Sequence, residues 1–380
     1  MPDQYTAQDF YRKQPVINHL HWDGSLPVER LFEFYQHKGE FPLLPEKDIS
    51  GNKINHRNQT ERVLDSPEKL AQFQQGLLTH WGITDVFKIP IGAMKTDNDL
   101  ILAAIAHCEY LLQQGVKYAE TRFAPPYHLN PYGRLFHLND VIEQALLGFK
   151  LGEANTEVKV RPIICINREI DKNFIAGKSP VNSIDVVKAA IKYAENGIAG
   201  IDLACYEPCA PPDDFVSAYR LTLDTPLKRT IHAGEMMGSD EANLRNIRYA
   251  LEHLRPDGLG HAISLHKDPK LMEIVAKRSI RIESSPRSNL HCQFIKNPAD
   301  LGLDQLLQAG VKVTINPDDP MMWPQGDVAD NLALAANAYG IGVVNQTIRN
   351  SIETAWGLNK EEKEQMVKDL QFNKPELFLK

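Results

Sequence analysis

A chain of 380 residues with 43% hydrophobic and 24% charged side chains has the apolar mass for a large folded core, which excludes extended disorder. Its 49 acidic against 42 basic residues give a net charge of -7, which excludes the basic footprint of a nucleic-acid or anionic-membrane binder and suits a small polar ligand. Five cysteines, Cys108, Cys165, Cys205, Cys209 and Cys292, are odd in number and lack paired metal-ribbon spacing, so reduced thiols in a cytoplasmic protein are expected.

In chain order, the polar start with Asp3, Arg12 and Lys13 has no signal-peptide core, and no later stretch has the apolar length of a bilayer span. Residues 16–21 read as a strand ending in His19-Leu20-His21. Side chains two apart on a strand share a face, so the two imidazoles point together and Leu20 packs the other way. Pro27 to Gln36 reads as a helix, followed by a polar, irregular insertion over residues 38–65, a possible lid. Ser66-Pro67 opens another helix, and residues 97–114 form a further one stopped by Gly115.

From there a β/α rhythm sets in. Strand-like runs are expected at 116–123, 158–166, 198–204, 229–234, 258–263, 280–285 and 311–316, with helical patterns between them at Asp185 to Asn196, Asp240 to Leu254 and Pro269 to Lys277. With the first strand this makes eight βα units and predicts an α/β protein with a closed (β/α)8 TIM barrel. An open doubly wound sheet would carry a G-x-G-x-x-G turn after an early strand, and the sequence has none there. The expectation is one barrel domain over residues 1–380, with additional C-terminal helices from 327 onward.

Barrel active sites sit at the C-terminal strand ends, and there the sequence collects its unusual polar residues. The first strand ends with His19 and His21, the fifth with His232-Ala233-Gly234-Glu235, the sixth carries His261, and the eighth runs into Asp318-Asp319. Histidines and a carboxylate meeting around one axis suit Zn²⁺. Glu235, past a flexible Ala-Gly turn, is placed for proton transfer rather than ligation. Asp318 and Asp319 are adjacent and point to different sides, one toward a metal and one toward a substrate.

These segments, with Asp23-Gly24-Ser25, Glu120-Thr121-Arg122-Phe123-Ala124-Pro125, Gly200-Ile201-Asp202-Leu203-Ala204 with Glu207, Gly260-His261, Ser285-Pro286 with Ser288-Asn289, and Asp318-Asp319-Pro320, resemble the adenosine deaminase family, zinc barrels of the amidohydrolase superfamily. The resemblance implies one Zn²⁺ per chain, held by His19, His21, His232 and Asp318. It implies zinc-dependent hydrolytic deamination of adenosine, and of 2′-deoxyadenosine, to inosine and ammonia by attack of zinc-bound hydroxide on purine C6. In that scheme Glu235 gives a proton to N1, His261 orients or deprotonates the nucleophile, and Asp319 holds the water and accepts from the substrate near N7. Asp23 matches an aspartate that reaches the ribose 5′-hydroxyl, the role favoured here over that of a simple turn aspartate before Gly24.

The sequence also departs from the family pattern. Cys205 stands where a glycine usually lends its backbone to the purine, Trp22 replaces a leucine, Ala262 replaces a glycine, and the 38–65 insertion is long. Adenine or a modified 6-aminopurine nucleoside is therefore the alternative substrate. A non-catalytic nucleoside-binding relative would have lost the acid or a ligand, and both are present. A two-metal amidohydrolase would need a bridging lysine on the fourth strand, which is absent, and a cytidine-type deaminase would need an H-x-E with P-C-x-x-C, also absent. The partner expected is a small-molecule purine nucleoside, with no nucleic acid and no membrane; the oligomeric state is open.

Overall fold

The computed structural model describes residues 4–55, 59–130 and 135–373. The expected insertion and C-terminal helices therefore include residues 56–58 and 374–380, which lie outside the described residues. The strands are β1 (Val16–His21), β2 (Tyr118–Phe123), β3 (Lys159–Asn167), β4 (Gly200–Ala204), β5 (Lys228–Arg229), β6 (His232–Ala233), β7 (Gly258–His261), β8 (Arg281–Ser284) and β9 (Lys312–Ile315). All pair in parallel, β1 through β5 in one run and β6 through β9 in another.

The two runs join into the expected barrel. Thr230 N–H donates to Ile201 of β4 at 2.9 Å, and Ile231 accepts from Gly260 of β7 at 2.9 Å, so β5 and β6 are halves of the fifth barrel strand. The backbone changes partner at Thr230-Ile231, which is why the continuous strand expected at 229–234 is interrupted. Closure comes at the far edge, where His21 N–H donates to the Asp318 carbonyl at 2.8 Å and Leu20 bridges Asp318 in parallel.

The connecting helices are capped where the sequence says they should be. Ser66 accepts from Lys69 N–H at 3.3 Å with Pro67 in the first turn, and Thr96 caps the helix Asp97–Gln113. The helix expected from Asp240 to Leu254 is α-helical only to Tyr249. It widens into a π turn at Ala250–Leu254 before Arg255, at φ 50°, ends it. The insertion is irregular but anchored, through Leu44 N–H to Arg62, Leu64 N–H to Pro42 and Ile49 N–H to His80. Among the described residues no helix is long and apolar enough to cross a membrane.

Side chains facing outward from the strands, such as Leu20, Ile164, Ile166 and Leu203, are fully buried under the helices. The interior differs from the layers of branched aliphatics that usually fill such barrels. Same-face pairs Glu120 with Arg122 and Arg281 with Glu283, joined by Asp202, place buried charge along the axis, each residue at most 1% exposed. Removing one member of a buried ion pair costs about 3–5 kcal/mol, so these charges are kept only as a complete set.

Candidate active site

β1 is not a regular strand. Ile17 pairs with Ala119 but Leu20 pairs with Thr121, so Asn18 and His19 form a bulge of two residues opposite one. The two freed N–H groups both donate to Asn316 Oδ1, at 2.9 and 3.0 Å. His19 and His21 still share the inner face, with ring centroids 5.3 Å apart. His232 on β6 and Asp318 beyond β9 converge on them; Asp318 holds φ 63°, a left-handed backbone that a short polar side chain tolerates.

The donor set fits a tetrahedral cation. His21 Nε2 lies 3.3 Å from His232 Nε2 and 3.4 Å from Asp318 Oδ1, and His19 Nε2 lies 3.1 Å from that same oxygen. All four ligand atoms lie within 4.8 Å of one another. Ligands at about 2.0–2.1 Å from a tetrahedral zinc are about 3.3 Å apart, which is this spacing. His19 Nε2 and Asp318 Oδ1 are buried without a hydrogen-bond partner, an arrangement that a cation between them resolves. Burial keeps His21 well below the ordinary histidine range, whereas for His19 burial is outweighed by the Asp318 and Glu283 carboxylates, which raise it.

The other ring nitrogens are held by carboxylates. His19 Nδ1 contacts Glu283 Oε2 at 3.0 Å, and His232 Nδ1 contacts Asp202 Oδ1 at 3.1 Å. This fixes which nitrogen of each ring faces the centre. Arg168 donates to the His232 carbonyl and steadies the same strand from outside.

Glu235 stands beside this cluster on a tightly specified turn. Gly234 takes φ 74°, and a Cβ there would lie 2.7 Å from Ile247, so glycine is required on both counts. Glu207 then accepts three successive N–H groups, from Gly234 at 2.8 Å, Glu235 at 2.9 Å and Met236 at 3.1 Å. Burial pushes the Glu235 carboxyl up to about 8, so it carries a proton at neutral pH. His261 Nδ1 lies 3.4 Å from Glu235 Oε1 and 3.0 Å from Asn289 Nδ2. Burial lowers His261 to about 4, leaving a neutral imidazole.

Asp319 packs directly on Gly24, where a Cβ would fall 1.8 Å from its Oδ1. Burial, then the charge of Asp318, push Asp319 well above the usual carboxylate range. Asp23 and Cys205 stand apart from the donor cluster: Asp23 Oδ1 is 3.0 Å from His128 Nε2, and the Cys205 thiol is 3.5 Å from the Tyr127 hydroxyl. Cys205 adopts φ 75° and Ala262 φ 47°, so both keep the left-handed backbone of the glycines expected there. Trp22, expected as a non-standard substrate wall, is core instead. It follows the last residue of β1 and is fully buried against Phe123 and Phe149, at 5.2 and 5.0 Å, with its Nε1 donating to the Ala103 carbonyl at 3.4 Å.

The sequence alone assigns no role to Asp202, Glu207, Arg122, Glu283, Asn289 or His128. The signal available was charge at alternate positions in otherwise apolar strands, as in Glu120-Thr121-Arg122 and Arg281-Ile282-Glu283.

A family model described as adenosine deaminase matches residues 15–372. The chain belongs to the adenosine deaminase family. Within that family, an adenosine deaminase of Clostridium acetobutylicum is 31% identical over 353 residues, covering 90% of this chain and 95% of the relative. Solved structures share the fold at lower identity. An adenine deaminase from Arthrobacter aurescens superposes with a TM-score of 0.71 at 21% identity, over 94% of this chain and 98% of that one. A zinc-bound amidohydrolase from Burkholderia ambifaria gives 0.74 at 20%, over 99% and 95%. An Arabidopsis N6-mAMP deaminase gives 0.73 at 18%, over 96% and 99%. This adenosine deaminase family member is a hydrolytic deaminase built on a β/α barrel.

Proposed function

We propose that this enzyme deaminates adenosine and 2′-deoxyadenosine to inosine and 2′-deoxyinosine with release of ammonia, using one zinc ion per chain. The observation that carries the reading is the placement of the buried Glu235 and His261, 3.4 Å apart, beside the four converging donors His19, His21, His232 and Asp318. A zinc ion held by those four would act as a Lewis acid, lowering the pKa of a water from about 15.7 toward about 7.

The chain's own residues supply the rest. Glu235 gives its proton to purine N1 as water adds to C6, so that negative charge does not build on the ring. His261, steadied by Asn289, orients the water and takes its proton. The proton taken by His261 then passes to the amino group, the C6 hydroxyl returns its proton to the Glu235 carboxylate, and the tetrahedral C6 expels ammonia to leave the 6-oxopurine. Asp319 enters this scheme differently from the acceptor expected from the sequence. Purine N7 offers a lone pair and no hydrogen, and a carboxyl pushed upward by burial is the donor that lone pair requires. Asp23 takes the ribose 5′-hydroxyl in this reading, and its negative charge opposes a 5′-phosphate. The Cys205 backbone N–H serves purine N3.

A second reading, adenine or a modified 6-aminopurine nucleoside as substrate, draws on one observation: Asp23 is already engaged by His128 at 3.0 Å. Ammonia release with adenosine, 2′-deoxyadenosine, adenine, adenosine 5′-monophosphate and N6-methyladenosine separates the readings; release from N6-methyladenosine is followed as methylamine. Fast turnover of the two unmodified nucleosides supports the proposal. Turnover confined to adenine, the phosphorylated compound or the modified nucleoside would overturn it while leaving the hydrolytic chemistry intact.

A further inference from the structure

Inside the barrel, below the four donors, one guanidinium touches both carboxylates that orient the metal-site histidines. Arg122 Nε lies 2.9 Å from Asp202 Oδ2, and its Nη2 donates at 2.6 Å to Glu283 Oε2. That Glu283 oxygen contacts His19 Nδ1, and Asp202 contacts His232 Nδ1. His19 and His232 come from different strands of the ring, β1 and β6, and Arg122 from a third, β2. Glu283 is fixed from its other side as well: Arg281 donates to Oε1 from Nε at 3.1 Å and from Nη2 at 2.6 Å. Arg281 in turn pairs with Glu120 at 2.6 Å and lies over the Trp356 ring, 4.0 Å from its centroid.

We propose that Arg122 is a positioning residue of the metal centre, setting His19 and His232 relative to each other through Glu283 and Asp202. The inference rests on the zinc reading above. Each carboxylate has freedom to swing about its own side-chain torsions, and a lone carboxylate would fix only its own histidine. A guanidinium that donates to Glu283 through Nη2 while its Nε ion-pairs with Asp202 removes that freedom jointly, and a lysine cannot reproduce it, because an ammonium is a single point charge that cannot span the two carboxylates in one fixed plane. Arg281, Glu120 and Trp356 brace Glu283 from beneath, which ties the segment after the last strand to the same centre.

The test uses Arg122→Lys, which keeps the buried charge, alongside Arg122→Gln, each first shown to be folded by circular dichroism in the metal-free form. Arg122→Lys is the variant read if Arg122→Gln does not fold. Zinc affinity is measured by competition with a chelator, and the visible spectrum of the Co²⁺-loaded protein reports ligand geometry. The proposal predicts roughly 10–100-fold weaker Zn²⁺ binding. It also predicts an altered Co²⁺ spectrum and a lowered kcat with KM little changed. Wild-type affinity and an unchanged Co²⁺ spectrum in a folded Arg122→Lys protein would overturn it. A wild-type protein that itself fails to bind Zn²⁺ tightly would instead overturn the zinc reading.

Discussion

Glu207 Oε2 accepts the backbone N–H of Glu235 at 2.9 Å, so one buried carboxylate fixes the peptide that carries the proposed acid. The same side chain takes the N–H groups on either side and the Asn246 amide, which leaves the turn little freedom. In Glu207→Gln one oxygen becomes an NH₂ that faces N–H donors. A small misplacement of a catalytic group costs up to about 100-fold in rate. The expected result is a kcat lowered by roughly 10–100-fold with zinc content unchanged. Steady-state kinetics with metal analysis checks it, and wild-type kcat would show that the turn holds without Glu207.

Gly24 is required by contact rather than by backbone angle. A methyl group at this position must displace Asp319, since its Cβ would lie 2.5 Å from the Asp319 Cβ. Gly24→Ala should therefore lower kcat while the protein stays folded, with a stability loss of about 1–3 kcal/mol from overpacking. Thermal unfolding and ammonia release, read together, separate the two effects.

At Cys205 the backbone matters more than the thiol. At φ 75° a β-branched residue is strained, whereas glycine is not. Cys205→Val should be less stable than Cys205→Gly by about 1–2 kcal/mol. Equal unfolding midpoints for the two variants would mean that the turn relaxes without cost.

The buried charges make stability depend on acid. Burial alone would raise Asp202 and Glu283, but His232 and Arg122 hold Asp202 down, and Arg122 and Arg281 hold Glu283 well down. Folded values below the unfolded ones, about 3.9 for Asp and 4.3 for Glu, mean that the stabilisation is complete above those values and lost as pH falls. Unfolding midpoints should drop as pH falls below about 4, and Asp202→Asn should shallow that drop.

The alternation of apolar runs with amphipathic stretches was enough to read the barrel, because strand and helix periodicity are local properties. The histidines and acids at strand ends were legible for the same reason. Partners that meet across the barrel were not. Nothing local pairs Arg122 with both Asp202 and Glu283, or Asp23 with His128, and the Asn18-His19 bulge depends on the distant Asn316 side chain. The break in the fifth strand follows from a change of neighbours at Thr230-Ile231, which sequence pattern does not encode. The place of Trp22 in the core is likewise not legible, because adjacency to a site motif does not reveal which face a side chain occupies.

The most direct test of the account is zinc content and ammonia release from adenosine for wild type and Glu235→Gln side by side. The amide keeps the shape of the side chain but has no acidic proton, and Glu235 is not one of the four proposed ligands. The account predicts one zinc per chain in both proteins and a rate lower by about 100- to 10,000-fold in the variant. A zinc-loaded Glu235→Gln protein that deaminates adenosine at the wild-type rate would contradict it.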